Sequence, residues 1–320
     1  MDSRSNIARE RQSHRTAVVT GGAGFIGSHI VDELVELGYH VIVIDDISTG
    51  RLENIEHLLK KRNLEFFRGS VTDQALLQRR FSGVDYVFHQ AAISSVPASI
   101  DNPSAVHEVN ATGTLNVLLA ARDNQVKKVV YASSASVYGD SPNLPVQESM
   151  MPNPQSPYAV SKLAGEYYCH VFSTVYHLAT VCLRGFNIYG PRQNSDSEYA
   201  AVIPKFIKYV SDGKSPVIFG DGEQTRDFMF VKDIVAANIL AAQSDATGIF
   251  NIGQGESTSL NQLTRLILRL MGRDDIKPIY EKERVGDIKH SLADITRART
   301  LGYTPKYTLE EGLREVIRSL

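Results

Sequence analysis

The sequence predicts an α/β fold in which a doubly wound parallel sheet is joined to a smaller, mixed α/β lobe. Three observations support this fold class. Short β-branched runs alternate with longer amphipathic patterns from residue 16 onward, a glycine-rich turn follows the first run, and the alternation stops near residue 187. Strands that alternate with helices form right-handed crossovers, which produce a parallel sheet covered by helices on both faces.

The strands are predicted from runs rich in β-branched residues that are bounded by turn residues. TAVVT at 16–20 is followed by a glycine loop and by SHIVDELVELG, which has the spacing of an amphipathic helix. Further strand candidates lie at 40–46, 64–71, 84–92, 127–139, 178–190 and 249–252, and the last of them is expected to return to the main sheet. Helices are predicted near 73–80, at 104–122 and from residue 157.

The chain is predicted to contain a tail and two domains. Residues 1–14 are polar and lack the apolar segment of a signal peptide, so they are predicted to form a disordered tail. Residues 15–186 form the sheet domain, and residues 187–320 mostly form the second lobe. Helices of that lobe are predicted at 201–212, 232–243, 259–271 and 309–319, and the polar loops between them are expected to face a ligand.

The composition argues against several classes of function. The chain has 320 residues, 42% of them hydrophobic and 22% charged, which is ordinary for a globular protein. A net charge of −2 gives no basic surface for nucleic acid or membranes. No apolar run reaches the roughly 18 residues of a membrane span. Cys169 and Cys182 lie in apolar runs without metal-ligand spacing, which indicates reduced core residues, no metal site and a cytoplasmic enzyme.

A dinucleotide site is predicted at the glycine turn. The stretch TGGAGFIGSHI places Gly21, Gly24 and Gly27 between the first strand and the first helix. Glycines at this spacing allow a tight turn, close approach of a pyrophosphate to the backbone, and close packing of helix on strand. The unpaired N–H groups at the start of the helix would face the phosphates. The pattern is typical of a Rossmann-type domain.

An acidic pair favours NAD over NADP as the dinucleotide. Asp45 and Asp46 end the second strand. A carboxylate at this point accepts hydrogen bonds from an adenosine ribose diol and repels a 2′-phosphate. Two further segments follow strands three and four and are expected to pass near the adenine and near the ribose and pyrophosphate: Gly69, Ser70 and Val71, then Gln90, Ala91 and Ala92.

A candidate catalytic set lies at the start of the helix after strand five. Tyr158 and Lys162 share one helix face because they are four residues apart, and Pro157 is suited to the first helical position. Ser133 and Ser134 end strand five, where a nicotinamide ring would lie. A phenol that acts as a base near pH 7 needs a pKa lowered by about three units. The Lys162 ammonium and the positive charge of an oxidised nicotinamide could together provide that shift. We predict Tyr158 as the base, Lys162 as the cation that tunes it and binds the nicotinamide ribose, and Ser134 as the group that holds the substrate hydroxyl.

Three motifs resemble those of a known family. GGAGFIG, SSASVYG and YAVSK, in this order, resemble the extended short-chain dehydrogenase/reductase family of nucleotide-sugar enzymes, and the resemblance runs from about residue 16 to the C-terminus. The family's 4,6-dehydratases and decarboxylases carry an acid in the serine loop, whereas residues 134–138 of this chain have none. The resemblance therefore implies a UDP-hexose 4-epimerase, in which bound NAD takes and returns the C4 hydrogen through a 4-keto intermediate.

The same resemblance implies further binding residues. To the NAD site it adds Phe25, Ile26, Asn110, Ala132, Ser133 and Phe186. To a UDP-sugar site it assigns Ser94, Asn187, Val202, Val217, Phe219, Arg226, Arg284, Asp287 and Ser291, together with Ser134 and Tyr158. Arg226 and Arg284 would bind the diphosphate, because planar guanidinium groups bind phosphate oxygens in pairs. Asp287 would bind the uridine ribose.

Ser291 bears on the choice of sugar. It aligns with the family position that holds a bulky Tyr in enzymes restricted to UDP-glucose and UDP-galactose, and a small residue leaves volume for an N-acetyl group. The stretches YAAVIPKF, GDGEQTRDF and GDIKHSLADI are most similar to the UDP-N-acetylglucosamine 4-epimerases. The resemblance therefore implies interconversion of UDP-GlcNAc and UDP-GalNAc, with activity on the unacetylated sugars as well.

The chain departs from the family pattern at two points. Gly69-Ser70-Val71 stands where the family usually has Gly-Asp followed by Ile or Leu, which puts the side-chain contact to adenine in doubt. Ser94-Ser95 stands where the galactose epimerases have a phosphate-binding lysine. The second departure agrees with the N-acetylhexosamine group but removes one charged contact.

Other functions stay open at this stage. A UDP-glucuronate 4-epimerase would share the catalytic residues and would need an extra cation near the C6 carboxylate. A net oxidoreductase on another nucleotide sugar would consume or produce NADH. A non-catalytic NAD-binding regulator would have no use for a phenol beside a lysine.

An oligomer is also expected. Two long helices, at 103–122 and 157–176, carry apolar and small residues on more than one face. Such helices form a four-helix dimer interface in this family, so the resemblance implies a homodimer. Helices buried in a core show the same pattern.

Overall fold

The computed structural model describes residues 15–194, 201–283 and 288–320. The predicted tail, residues 1–14, lies outside the described residues. The chain divides into two compact units. Unit 1 comprises the described part of Met1–Val137 together with Pro154–Arg184 and Val235–Phe250, and unit 2 comprises the described parts of Tyr138–Asn153, Gly185–Ile234 and Asn251–Leu320. This division does not test the domain boundary predicted at residue 187, which stays a prediction.

The strands of the described residues, in chain order, are β1 (Thr16–Thr20), β2 (His40–Asp45), β3 (Leu64–Arg68), β4 (Tyr86–His89), β5 (Lys128–Ser134), β6 (Ala179–Gly185), β7 (Ile188–Tyr189), β8 (Val217–Phe219), β9 (Thr225–Arg226), β10 (Met229–Phe230), β11 (Gly248–Ile252), β12 (Thr258–Ser259) and β13 (Ile279–Glu281).

The α-helices are α1 (Phe25–Glu36), α2 (Gln74–Arg80), α3 (Val96–Asp101), α4 (Pro103–His107), α5 (Gly113–Asp123), α6 (Pro157–Val175), α7 (Val202–Ser211), α8 (Val231–Gln243), α9 (Leu260–Leu270), α10 (Thr296–Arg299) and α11 (Leu309–Arg318). Short 3₁₀ helices lie at Leu52–Asn54, Glu56–Leu58 and Ala135–Tyr138, and a π-helical segment, Glu108–Thr112, joins α4 to α5.

The central sheet has seven strands in the order β11-β6-β5-β4-β1-β2-β3. The pairs β1–β2, β1–β4, β2–β3 and β4–β5 are parallel. The predicted α/β fold class is confirmed, as is the return of the run at 249–252 to this sheet. Since the chain runs outward from β1 in both directions, the strand order reverses between β1 and β4. In open parallel sheets ligands bind at the carboxyl ends of the strands beside such a reversal.

Burial explains why the central strands are nearly continuous apolar runs. Val18, Val87 and Val129, on three neighbouring strands, have no exposed surface, and they belong to one hydrophobic cluster of unit 1. Strands covered by helices on both faces cannot alternate apolar with polar residues as half-buried strands do. The core of unit 1 therefore fixes the sheet whose edge carries the predicted motifs.

Helix α6 begins where the sequence predicts it. The hydroxyl of Ser156 accepts the N–H of Ala159 at 3.2 Å, and Pro157 occupies the first turn. This is a favourable start because Pro lacks a donor that would be unpaired there. The buried face of α6 repeats every three or four residues and faces the core of unit 1. Its residues are Ala159, Ser161, Lys162, Gly165, Glu166, Cys169 and Phe172.

Two predicted strands are shorter than their apolar runs. The run at 127–139 leaves the sheet after Ser134 and continues as a 3₁₀ helix, in which Val137 stays fully buried. The run at 178–190 is broken at Asn187, whose φ of 29° lies in the left-handed region. Apolar periodicity reports burial and does not by itself report where a strand leaves its ladder.

Unit 2 combines short strands with helices. Strand β7 pairs with β10, β8 with β13, and β9 with β12. The four helices predicted for the second lobe are present as α7, α8, α9 and α11, although α8 lies mostly in unit 1. The Asp227 carboxylate is buried and accepts the N–H groups of Gln254, Gly255 and Ala293, so it fixes two loops of this unit against β9.

Candidate active site

The glycine turn after β1 has no room for side chains. Gly21 has a φ of +68°, and a Cβ on it would lie 2.7 Å from the backbone of Ala91. A Cβ on Gly27 would lie 2.1 Å from the carbonyl oxygen of Gly21. Gly24 occupies the N-cap of α1 without a side-chain cap. The first N–H groups of α1 are thus left for a ligand, and an anionic diphosphate fits them.

Asp45 at the end of β2 is built into this turn. Its carboxylate accepts the N–H of Ala23 at 3.0 Å and the N–H of Ile47 at 2.8 Å. Burial raises the pKa of Asp45, and these two hydrogen bonds oppose that shift. A carboxylate has about four acceptor sites, so two stay available for a ribose diol. Asp46 accepts the N–H of Ser48 at 2.9 Å and is more exposed than Asp45.

The predicted NAD residues of the segments after β3 and β4 differ in what their side chains do. The Val71 side chain is buried in the hydrophobic cluster of unit 1, so only its backbone is available. The Gln90 side chain donates to Asn238 at 3.1 Å. Gly69 donates its N–H to the carbonyl of Asp45 at 3.0 Å. Ser70, Ala91 and Ala92 lie in the same two segments and are partly buried.

Asn110, also assigned to NAD by resemblance, has its side chain in internal hydrogen bonds. It accepts the N–H of Ile93 at 2.8 Å, donates to the carbonyl of the same residue at 3.0 Å, and donates to Ser161 at 3.0 Å. Phe25 and Ile26 form the first turn of α1. Phe186 is buried in unit 2, so the predicted NAD residues do not all belong to one unit.

The predicted catalytic side chains come together at the carboxyl end of β5. The Lys162 ammonium is buried and donates to the carbonyl of Ala132 at 2.7 Å. It lies 6.0 Å from the centre of the Tyr158 ring and 5.1 Å from that of Tyr131. The Ser134 hydroxyl accepts the N–H of Ser136 at 3.2 Å and acts to lower the pKa of Tyr158. The geometry therefore places a phenol, a hydroxyl and a cation within one small volume.

Burial is the largest influence on the pKa values of this set. Burial raises the pKa of Tyr158, and the hydrogen bond from Ser134 opposes the shift only in part. Burial also lowers the pKa of Lys162 to about 8, while the Glu166 carboxylate acts to raise it. The predicted acidic phenol depends on the Lys162 ammonium and the charge of an oxidised nicotinamide together, so it stays a prediction.

Sequence reasoning missed a buried histidine beneath the site. The His89 ring spans two hydroxyls, with Nδ1 2.7 Å from Thr20 Oγ1 and Nε2 2.9 Å from Thr114 Oγ1. Its burial, together with the charge of Lys162, lowers the pKa of His89 to about 3. Its signal in the sequence was its place at the end of β4, directly before Gln90.

A second missed group is the pair of Glu166 and Arg184. Their side chains form two hydrogen bonds, Nε to Oε1 at 2.8 Å and the terminal nitrogen to Oε2 at 2.6 Å, and are only 1% and 2% exposed. A signal was present in the sequence. Glu166 lies four residues after Lys162, so it is a charged residue on the buried face of α6.

The predicted substrate residues lie mostly in unit 2. Arg226 donates to the carbonyl of Thr225 at 2.9 Å, and the Ser291 N–H donates to that same residue at 3.1 Å. The Asn187 side chain donates to the carbonyl of Asp227 at 3.1 Å. Val202 begins α7, Val217 and Phe219 bound β8, and Ser94 is exposed in unit 1. Arg284 and Asp287 lie outside the described residues.

Unit 2 also contains a cavity of about 200 Å³. It is lined by Phe219, Gly220, Asp221, Gln224, Glu283, Ile288 and Lys289. Residues 15–194, 201–283 and 288–320 contain no group of three or more His, Cys, Asp or Glu side chains that could hold a metal ion. In the same part of the chain, no helix has the length and apolarity needed to cross a membrane.

The glycine turn after β1, the acid at the end of β2 and the candidate catalytic set occur together in one class of protein. That class is the dinucleotide-dependent enzymes of the short-chain dehydrogenase type. The family model described as "NAD dependent epimerase/dehydratase family" matches residues 17–253. The chain belongs to that family. The family, the enzyme class and NAD as cofactor, all predicted from the sequence, are confirmed.

Solved structures and a curated relative agree with this assignment. A UDP-N-acetylglucosamine 4-epimerase from Methanobrevibacter ruminantium, solved with UDP-N-acetylmuramic acid, is 45% identical with a TM-score of 0.93, covering 95% of this chain and 97% of its own. A UDP-glucose 4-epimerase from Thermotoga maritima, solved with UDP-glucose, is 39% identical with a TM-score of 0.90, covering 95% and 98%. A UDP-glucose 4-epimerase from Mycolicibacterium smegmatis is 40% identical, covering 94% of this chain and 96% of its own.

His89 predicts a pH dependence of stability. Its folded pKa of about 3 lies below its ordinary value of 6.5, so the contribution to stability is complete above pH 6.5 and is lost as the pH falls toward 3. Between pH 7 and pH 5 the free energy of unfolding of the wild type should fall by about 2 kcal/mol more than that of His89→Gln, because only the wild type must protonate this group on unfolding. Urea unfolding at both pH values measures the difference. Equal losses in the two proteins would contradict the prediction.

Proposed function

We propose that the protein interconverts UDP-N-acetylglucosamine and UDP-N-acetylgalactosamine by inverting C4 of the hexose, and that it also acts on UDP-glucose and UDP-galactose. The observation that carries this proposal is the Ser134–Tyr158–Lys162 set at the carboxyl edge of the sheet, beside the glycine turn. No acid stands at residues 135–138, in the loop where the family's 4,6-dehydratases and decarboxylases carry one. The similarity to a UDP-N-acetylglucosamine 4-epimerase at 45% identity supports the choice of sugar.

The cofactor is held by three parts of unit 1. The N–H groups at the start of α1 bind the diphosphate, Asp45 binds the adenosine ribose, and Lys162 binds the nicotinamide ribose. Bound NAD supplies the acceptor and donor for the C4 hydrogen. An enzyme of this kind ends each cycle with its cofactor oxidised, and it needs no added reductant.

Tyr158 moves the proton of the C4 hydroxyl. The phenolate accepts this proton as the alcohol becomes a ketone, and the phenol returns it when the ketone is reduced. The Ser134 hydroxyl holds the same sugar oxygen in bonding reach of the phenol. Since burial raises the pKa of Tyr158, the Lys162 ammonium and the positive charge of the oxidised cofactor are both needed to favour the phenolate.

The nucleotide part of the substrate is assigned to residues of unit 2. Arg226 and Arg284 bind the diphosphate, with Asn187 beside it. Val202, Val217 and Phe219 contact the uridine, and Asp287 binds its ribose. The cavity lined by Phe219 and Lys289 supports a uracil site in this unit, because it combines an aromatic wall with polar groups.

The homodimer and a cytoplasmic location belong to the same proposal. Helix α6 exposes Tyr167, Val171 and Val175 to solvent by 60%, 42% and 60%. On the neighbouring α3, Ile100 is 63% exposed. Apolar side chains exposed in one patch are typical of a protein interface. The described cysteines, Cys169 and Cys182, are both free and buried, which suits a reducing compartment.

The reaction predicts conversion without added cofactor. Purified protein incubated with UDP-GlcNAc should yield UDP-GalNAc, and UDP-galactose should yield UDP-glucose, as resolved by chromatography. Tyr158→Phe should lower the rate by at least about 10²-fold because the proton acceptor is removed, while bound dinucleotide is retained. UDP-glucuronate serves as the comparison substrate. Preferred turnover of UDP-glucuronate, or unimpaired turnover by Tyr158→Phe, would contradict the proposal.

The sugar preference predicts an asymmetric effect at Ser291. Ser291→Tyr should remove activity on UDP-GlcNAc, because the ring fills the volume assigned to the N-acetyl group, and should spare UDP-galactose. Ser291→Ala, which keeps a small side chain, is the matched control and should retain both activities. Equal loss on both sugars in the Tyr variant would contradict the assignment of this pocket.

The exposed patch on α6 predicts an interface between two copies of the chain. Val171→Glu should convert the dimer into a monomer, since it places a charge within the apolar contact. Leu59→Glu, at a residue 36% exposed elsewhere in unit 1, is the control and should stay dimeric. Sedimentation equilibrium reads the mass of each protein. A wild-type monomer would end the dimer proposal.

A further inference from the structure

The end of β5 is attached to α6 at three consecutive residues. The carbonyl of Ala132 accepts from Lys162 at 2.7 Å, the Ser133 hydroxyl donates to Glu166 at 2.5 Å, and the Ser134 side chain acts to lower the pKa of Tyr158. Two of the attachments are the candidate catalytic groups themselves. The third, through Glu166, has no part in the reaction described above.

The Glu166 carboxylate joins three elements of unit 1. Its Oε1 accepts both the Ser133 hydroxyl and Nε of Arg184, and its Oε2 accepts a terminal nitrogen of Arg184 at 2.6 Å. Ser133 lies on β5, Glu166 on α6 and Arg184 on β6. Both charged side chains are almost fully buried, so their positions are fixed by these bonds and not by solvent.

Glu166 also stands one helical turn after Lys162 on the buried face of α6. Its negative charge opposes the desolvation that lowers the pKa of Lys162 to about 8. The other titratable or charged groups around the two residues are Tyr158 and Cys169 on α6, Tyr131 on β5, His89 on β4, and Cys182 and Arg184 on β6. Of these groups, only Glu166 both contributes a full negative charge and contacts the serine strand.

We propose that Glu166 is a positioning residue for the catalytic set: it holds Ser133, and with it the adjoining Ser134, against α6, and it places a buried negative charge one helical turn from the Lys162 ammonium. Arg184 fixes the carboxylate in the orientation that reaches Ser133. The inference rests on the proposed function, because it assumes that Tyr158, Lys162 and Ser134 carry the reaction. A merely structural ion pair would hold the three elements together without acting on either the serine or the lysine.

Titration of Lys162 tests the electrostatic part of the proposal. In protein labelled in its lysine side chains, the Lys162 resonance is identified by its absence from Lys162→Met, and its midpoint is followed by NMR. In Glu166→Gln, which keeps an acceptor for Ser133, the midpoint should fall by about one pH unit. The alkaline limb of the pH profile of kcat/KM should move to lower pH by the same amount, because deprotonation of Lys162 then occurs earlier.

A second variant covers the case in which Glu166→Gln does not fold because Arg184 is left without a carboxylate. The double variant Glu166→Met/Arg184→Met removes both charges and fills their volume, which buried ion pairs often tolerate. The Lys162 midpoint should fall in this protein as well. An unchanged midpoint in either folded variant would overturn the electrostatic part.

Ser133→Ala tests the positioning part and leaves the ion pair in place. This variant should lower kcat several-fold with KM for the sugar nucleotide and the Lys162 midpoint unchanged, since the attachment of the serine strand is lost and the ion pair is kept. Ser133→Thr, which retains the hydroxyl, should restore kcat. A wild-type kcat in Ser133→Ala would overturn this part. A wild type without epimerase activity would contradict the proposed function and would still leave the NMR midpoints to decide the charge effect.

Discussion

The bond from the Lys162 ammonium to the carbonyl of Ala132 is the interaction on which the candidate site depends. This bond of 2.7 Å joins α6 to the last residues of β5, and its donor is a buried charge. A buried ammonium needs partners, since its desolvation is costly. The carbonyl satisfies one of its donors and thereby fixes its direction. The phenol of Tyr158 and the hydroxyl of Ser134 follow from that placement, because they lie on the same two elements.

The strand order explains why the glycine turn and the candidate catalytic set share one edge. Strands β1 and β4 adjoin where the order reverses, and open parallel sheets bind ligands at the carboxyl ends of the strands beside such a reversal. The glycine turn after β1 and the acid after β2 lie on one side of that reversal, and β5 with α6 lies on the other. Family membership agrees with this arrangement, since the matched region, residues 17–253, contains all of these parts.

Part of the site was readable in the sequence because its chemistry is local. Gly21 and Gly27 are required by contacts within one turn, and Tyr158 and Lys162 share a face by helical spacing alone. The roles of His89 and Glu166 were not readable. Their partners, Thr114 and Arg184, come from other elements of the chain, and residue spacing carries no information on such contacts. The same reason hid the internal use of the Asn110 side chain.

The sequence by itself determined the fold class, the dinucleotide turn and the pairing of a phenol with a lysine, because each depends on residues close together in the chain. Only the tertiary structure decided how deeply those groups are buried and what they contact. Burial is a property of the packed elements, and it raises the pKa of Tyr158 while it lowers that of Lys162. Desolvation acts on both groups at once, and residue spacing along the chain carries no information on it.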